Sequence, residues 1–516
     1  MTPAVRDSSA LCAERRAREL AEATDGRTVD LLVVGLGVTG AGVALDAASR
    51  GLDVVALDAH DLAFGTSRWS SKLVHGGLRY LAQGRVGIAH ESAVERGILM
   101  TSTAPHLTRA LPMLVPLTPD VTGRQAALTR AGILAGDALR TSARTPRDVL
   151  PRPRRLGRTE TLAVAPSLRT TGLRGGLLSW DGQLEDDARL VVTLARTAAG
   201  HGARLLTRTR VLALDCSGGQ VRDELTGEEH TIRARAVVNA TGVWAGTLDP
   251  DVSLRPSRGT HLVLRPRTLP GLRVALMAPV PEARARFVFA LPQPDGHVYV
   301  GLTDEPHDGP LPDVPEPTEP EIRFLLDVVS SVLDHPVERG DVAGAYAGLR
   351  PLLAGDDEST ADLSRRHAVL TSRTGVVTVV GGKLTTYRRM AADAVDAAVP
   401  SAFRSRTRHL PLVGAAPRPE LERLGAPARL VRRYGVEAGA VLADARARTG
   451  LDDATLLAPV ADGVATTLAE LVWGVSHEGA LDTDDLLERR VRVGLVPEER
   501  AAAEPAARAA LAQVQA

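Results

Sequence analysis

The first sustained apolar run of the chain, Leu31–Val34 in TVDLLVVGLGVTG, has no polar interruption and leads directly into glycines. Such a run predicts a strand buried on both faces that ends in a tight turn. AGVALDAASRG follows with helical spacing, and DVVALD predicts a second strand, so the segment reads strand–turn–helix–strand. AVVNATG (236–242) predicts a further strand. RGTHLVLRP (258–266) and FVFALPQPDGHVYVGLTD (287–304) differ, because their apolar alternation around a Pro-Asp-Gly turn predicts antiparallel ribbons. VVTVVGGKLTTYRRMAADAVDAAV (376–399) returns to strand, glycine turn and helix, and from about residue 405 the pattern is helical. Residues 1–29 predict a helical extension, and no internal repeat is visible.

Composition narrows the class of protein. A chain of 516 residues with 44% hydrophobic and 24% charged positions has room for several domains with real cores. The formal net charge of zero argues against nucleic acid as a partner. Cys12 and Cys216 are the only cysteines, so neither a disulfide framework nor a thiolate zinc site is expected. His90-Glu91 and His477-Glu478 begin like HExxH, but Val94 and Leu481 stand where the second histidine would be, and no metal is expected. Neither a secretory h-region nor an apolar run of about 18 residues occurs, which predicts a soluble or peripheral cytoplasmic protein. One region departs from the balance: between Gly123 and Arg158 nine arginines face two aspartates, a solvated loop and helix face or a surface that meets an acidic partner or anionic lipid headgroups on the inner face of the plasma membrane.

Gly35-Leu36-Gly37-Val38-Thr39-Gly40 is a GxGxxG between a predicted strand and helix, and Asp58 ends the next strand. The first glycine permits the turn, the second admits a pyrophosphate, the third packs helix on strand, and the acid can accept from a ribose hydroxyl. This predicts a dinucleotide site without separating NAD from FAD. GTSRWSSKLVHGGLRY (65–80) makes the separation, because small hydroxyl residues and a Gly-Gly turn can flank a pyrophosphate and an isoalloxazine. Lysine is unusual here: of 62 basic residues only Lys72 and Lys383 are lysines, each following two small residues and preceding Leu.

From Asp30 to Leu81 the chain resembles the FAD-dependent glycerol-3-phosphate dehydrogenases of the aerobic, respiratory type. The resemblance continues in order through SWDGQLEDDARLVVTLA (179–195), LLTRTRV (205–211), VVNATGVWA (237–245), RGTH (258–261), GLTD (301–304), AGLRPLL (347–353) and GGKLTTYR (381–388). It extends into LAELVWGVSHEGALDTDDLLERRVRVGL (468–495). It implies an α/β plus α architecture: a Rossmann-like FAD-binding domain (30–105, 170–256 and 340–400), an inserted antiparallel-sheet substrate domain (106–169 and 257–339), and a C-terminal helical domain (405–516). The implied reaction is oxidation of sn-glycerol 3-phosphate to dihydroxyacetone phosphate by hydride transfer to FAD, with electrons passed to a quinone.

The same resemblance implies that Arg79, Tyr80, His261, Arg350, Arg365 and Lys383 bind substrate. Of these, His261 is the first choice of base with His75 its rival, Arg350 stabilises the alkoxide, and Lys383 binds phosphate or assists at the flavin. Thr303 and Asp304 are expected to line the site. FAD is implied to contact Thr66, Ser67, Ser71, Lys72, Leu73, His75, Gly76, Val211, Gly242, Gly382, Leu384 and Thr385, besides Gly35, Gly37, Gly40 and Asp58. Thr385 or Thr386 is expected to cap the helix after GGK, and Lys72 and Lys383 to converge on one site. Alternatives left open are an oxidase using O2, a flavoprotein acting on another 2-hydroxy or 2-amino acid, and a non-catalytic nucleotide-binding protein of the same fold. Oligomeric state, a homodimer included, is also left open.

Overall fold

The computed structural model describes residues 8–77, 80, 81, 84–281, 286–354 and 367–515. Leu31–Val34 and Val54–Leu57 form the centre of a six-stranded sheet, flanked by Arg204–Leu206 on one side and by Val237–Asn239, Val377–Val380 and Ala368–Thr371 on the other. All pairings are parallel except the last. The uninterrupted apolar runs are explained by burial on both faces. Leu31, Val33, Val54 and Ala56 point into a core built with the helices Val38–Ser49, Asp187–Gly200 and Tyr387–Ala398. Leu32, Val34, Val55 and Leu57 point the opposite way, onto a four-stranded sheet that supplies Val221, Ile232 and Ala234.

The N-terminal extension is part of this unit. Helix Ala13–Ala23 carries Arg16, whose guanidinium reaches the Thr207 carbonyl at 2.7 Å and pairs with Asp223. Thr28–Val29 then pairs with Glu229–Ala234 in the four-stranded sheet.

A ten-stranded sheet forms the second body, and Phe287–Pro292 with Val298–Gly301 make the antiparallel ribbon predicted around the Pro-Asp-Gly turn. Helix Glu319–Ser330 covers one face of it. Three strands from ranges expected in the nucleotide domain belong here instead, the first being Leu73–Val74, which pairs with Gly176–Leu184. Gly176–Leu184 pairs along its length with Thr108–Pro116, and Val342–Arg350 pairs with Ser257–Leu264. Their sequences announce burial but do not name a partner, and these pairings bridge long stretches of chain.

Beyond residue 405, helices Ala428–Tyr434, Ala438–Thr449, Leu468–Glu478 and Pro497–Gln515 share a core. The all-helical expectation misses one hairpin, Pro459–Ala461 with Val464–Thr467. This domain is joined to the six-stranded unit by buried ion pairs running in both directions. Arg196 pairs with Glu437 at 2.7 Å and Arg189 with Glu478, while Arg489 and Arg490 converge on Asp61 at 2.6 and 2.7 Å.

Candidate active site

The glycine motif begins a cavity of about 1640 Å³ that runs from the six-stranded sheet to the ten-stranded one. Gly35 has φ +99°, and a β-carbon there would lie 2.7 Å from the Ala240 carbonyl oxygen. At Gly40 a β-carbon would lie 1.7 Å from the Gly35 carbonyl oxygen, so the third glycine closes helix onto strand and does not face the cavity. Gly37 precedes helix Val38–Ser49, and the Val38 amide donates to Ser67 Oγ at 2.8 Å. Asp58 lines the same end and already accepts the Leu36 and His60 amides at 2.7 and 2.9 Å. Burial pushes its carboxyl up to about 6 against the pull of those two bonds.

Residues 65–75 form the next wall. Thr66 Oγ1 donates to the Leu349 carbonyl at 2.6 Å, tying this loop to the strand that ends in Arg350. Thr66, Ser67, Ser71, Leu73 and His75 line the cavity, as do Val211, Gly242, Gly382, Leu384 and Thr385. Gly76 does not; its amide donates to Asp181, which also holds Arg96 at 2.7 Å. Lys72 does not either. It is buried, with Nζ paired to Asp187 at 2.8 Å and set over the Tyr346 ring, so the expected convergence of the two lysine side chains is not found.

The opposite wall carries His261, Arg350 and Lys383. His261 stands across from Gly301 on the neighbouring strand, where a β-carbon would lie 2.2 Å from the imidazole Cδ2. Its ring stacks on Tyr346 with centroids 4.8 Å apart, and Nε2 lies 2.8 Å from Ser71 Oγ. Burial, with the positive charges of Lys72 and Arg350, holds the imidazolium form down to about 3, so the ring is neutral. Arg350 ends its strand and donates to Ser257 Oγ and Asp304 Oδ1 through Nη1, and to the Thr303 carbonyl through Nη2 at 2.9 Å. Gly259 gives this guanidinium its space, since a β-carbon would stand 2.1 Å from Nη2.

Lys383 follows two glycines at φ +77° and +72°. Its ammonium contacts Ser92 Oγ and lies 4.3 Å from the Tyr80 ring centroid. The expected threonine cap is absent: Thr386 Oγ1 donates backwards to the Lys383 carbonyl at 3.2 Å, and neither Thr385 nor Thr386 accepts from the helix Tyr387–Ala398. Arg79 and Arg365 lie outside the described residues.

With this geometry in view, comparison with known proteins places the chain. Residues 30–388 match the family model described as FAD dependent oxidoreductase, and residues 405–515 match the C-terminal domain of alpha-glycerophosphate oxidase. Glycerol-3-phosphate dehydrogenase 1 of Mycobacterium tuberculosis is 53% identical over 504 residues, covering 96% of each chain. The chain belongs to the FAD-dependent glycerol-3-phosphate dehydrogenases. The glycerol-3-phosphate dehydrogenase of Mycobacterium leprae is 39% identical over 90% of this chain and 81% of its own. The solved structure of the Bacillus halodurans glycerol-3-phosphate dehydrogenase complexed with FAD superimposes with a TM-score of 0.74 at 27% identity, covering 98% of this chain and 94% of that one.

FAD fits what this dehydrogenase presents. Gly35 lets the chain turn tightly against Ala240, and the helix Val38–Ser49 then opens from Gly37 on the cavity wall, where its amino end suits a pyrophosphate. Sequence reasoning misses the residues that shape the opposite wall. Gly301, Gly259, Ser92 and Tyr346 hold His261, Arg350 and Lys383 from other elements. For Gly301 the signal was available, since a glycine inside a predicted strand marks a close approach. Ser92 sits in the helix Val86–Ile98 with no local mark.

Proposed function

We propose that this dehydrogenase oxidises the C2 alcohol of sn-glycerol 3-phosphate to dihydroxyacetone phosphate and passes the electrons, by way of FAD, to a quinone. The observation that carries the reading is one cavity whose dinucleotide end is formed by Gly35, Gly37 and Asp58 and whose far wall holds His261, Arg350 and Lys383. A phosphate dianion needs cationic donors, and Arg350 and Lys383 supply a fork and a point charge. When bound, FAD supplies the two-electron acceptor for the hydrogen leaving C2.

His261 takes the hydroxyl proton. Its neutral ring is an acceptor, and the field that suppresses its basicity comes partly from Lys72 and Arg350. The incoming dianion offsets that field, so the base is strengthened when substrate is in place. Arg350, aimed by its pair with Asp304, stabilises the negative charge that develops on the C2 oxygen.

The quinone assignment rests on the apolar lining where the cavity meets the helix Gly123–Ser142. Val115, Ile133, Met277 and Phe287 line it there. The same helix leaves Leu128 and Leu134 exposed at 65% and 53% within the arginine-rich segment. Apolar side chains among arginines suit the headgroup region of an anionic bilayer, and we assign this helix as the surface that meets the membrane. Among the described residues no helix is long and apolar enough to cross one.

The test is anaerobic flavin bleaching. Glycerol 3-phosphate is expected to bleach the flavin, and glycerol, lactate and glycine are not. Bleaching by 2-hydroxy or 2-amino acids instead would overturn the substrate. Rapid recovery of colour with a soluble quinone and slow recovery in air supports the acceptor; the reverse order makes the protein an oxidase.

A further inference from the structure

Lys72 and Arg492 both have left-handed backbone, at φ +56° and +64°, which residues bearing a β-carbon seldom adopt. They come from distant parts of the chain and meet at the Arg68 carbonyl, with the Asp187 carboxylate beside both. Lys72 Nζ donates to Asp187 Oδ2 at 2.8 Å and to the carbonyls of Arg68 and Ser70 at 3.1 and 3.2 Å. Arg492 Nη2 donates to the same Arg68 carbonyl at 2.6 Å, and its Nε lies 3.8 Å from Asp186 Oδ1 and 3.9 Å from Asp187 Oδ1. Asp187 Oδ2 also accepts the Ser70 amide at 2.9 Å. All four charged side chains are buried.

The groups so fixed are the inner side of a loop whose outer side lines the cavity. Trp69, Ser70, Ser71 and Leu73 face the cavity, and Ser71 carries the hydroxyl that meets His261. Arg492 belongs to the C-terminal helical domain, none of whose described residues lines the cavity. Buried opposite charges are a weak source of net stability compared with apolar packing. Here they hold strained backbone in one conformation, which is the usual reason such strain survives near a site.

We propose that Arg492 is a positioning residue through which the C-terminal domain, bonded to the Arg68 carbonyl alongside the Lys72–Asp187 pair, fixes the loop 68–72 against FAD and sets Ser71 on His261. The inference rests on the reading of the cavity as the FAD site. It explains a lysine that lies in a flavin-facing segment yet points away from the cavity. The ammonium is the clasp of the loop, a point charge held at once by the Asp187 carboxylate, two carbonyls and the Tyr346 ring face.

The test uses holoenzyme. Arg492→Gly removes the guanidinium at a position where glycine is unstrained, and Lys72→Met removes the ammonium at similar length. Each is expected to alter the visible circular dichroism of bound flavin and raise the FAD dissociation constant about tenfold. Each should also lower kcat about tenfold while KM for glycerol 3-phosphate changes less than about threefold. Arg492→Lys should recover FAD affinity to within about threefold of wild type. Wild-type flavin dichroism and FAD affinity in both Arg492→Gly and Lys72→Met overturns the proposal, as does a KM rise with the flavin spectrum unchanged. If Arg492→Gly does not fold, Lys72→Met carries the same expectation and the same refutation. Failure of glycerol 3-phosphate to bleach wild-type flavin counts against the functional reading alone, because flavin dichroism and FAD affinity are read without substrate.

Discussion

Ser71 Oγ lies 2.8 Å from Nε2 of His261, across 190 residues of sequence. Among the described residues, Nδ1 of the same ring is buried without a hydrogen-bond partner. The imidazole is therefore oriented by one polar contact at Nε2 and by stacking on Tyr346.

That contact makes Ser71 a control point for the reaction. Ser71→Ala leaves Nε2 without its partner, at a cost of about 1–3 kcal/mol wherever the ring keeps its native position. The expected result is an anaerobic flavin-reduction rate about ten to a hundred times lower in the FAD-saturated enzyme. Stopped-flow reduction by glycerol 3-phosphate checks it, and an unchanged rate would remove the hydroxyl from the mechanism.

Gly301 supplies a steric test of the same base. A β-carbon at this position would lie 2.2 Å from His261 Cδ2, closer than either backbone can concede by relaxing side chains alone. Gly301→Ala should displace the imidazole and reduce kcat/KM at least about a hundredfold. FAD titration should remain within about threefold of wild type, because the displaced ring belongs to the substrate wall. Near-normal turnover in this variant would show that His261 is not the base.

How much of this was legible depends on how local each feature is. The GxGxxG and its three glycine roles sit within six residues, and the structure returns the turn at Gly35 and the helix packing at Gly40. Strand Gly176–Leu184 was misplaced because its pattern reports burial and its partner Thr108–Pro116 lies some seventy residues away. The inward turn of the Lys72 side chain was not legible for a related reason. Its neighbours face the cavity, but the Asp187 that turns it inward is 115 residues distant. Ser92, the partner of Lys383, carries no signal in a helix where serine is unremarkable.

Lys383 should not tolerate arginine. Its ammonium is held between Ser92 Oγ and the Tyr80 ring, 4.3 Å from the centroid. A planar fork keeps the charge but needs more room and different donor directions. Lys383→Arg is expected to lower kcat/KM about ten to a hundredfold, and wild-type kinetics would remove its special role.

The exposed leucines of helix Gly123–Ser142 give a membrane prediction. Replacing both Leu128 and Leu134 with Glu should weaken sedimentation with anionic vesicles about tenfold or more, since charge replaces apolar surface on a basic helix. Anaerobic flavin reduction by glycerol 3-phosphate, which needs no quinone, should change little. Equal vesicle binding by the variant would move the membrane contact elsewhere.

A last prediction concerns pH and the joint between the substrate sheet and the final helix. His297 Nδ1 lies 3.3 Å from Asp295, and Nε2 lies 3.1 Å from Glu499 in the helix Pro497–Gln515. Burial opposes the charged ring, but the bonds to Asp295 and Glu499 outweigh it and raise its pKa to about 10. The folded protein thus holds this proton more tightly than the unfolded chain, whose histidine titrates near 6.5. The resulting stability is complete below about pH 6.5 and is lost as pH rises through about 10. His297→Gln should lower Tm by about 1–3 °C near pH 6, and the wild-type and variant curves should converge above about pH 10. A Tm difference that stays constant across that range would show that the contact works by shape and not by charge.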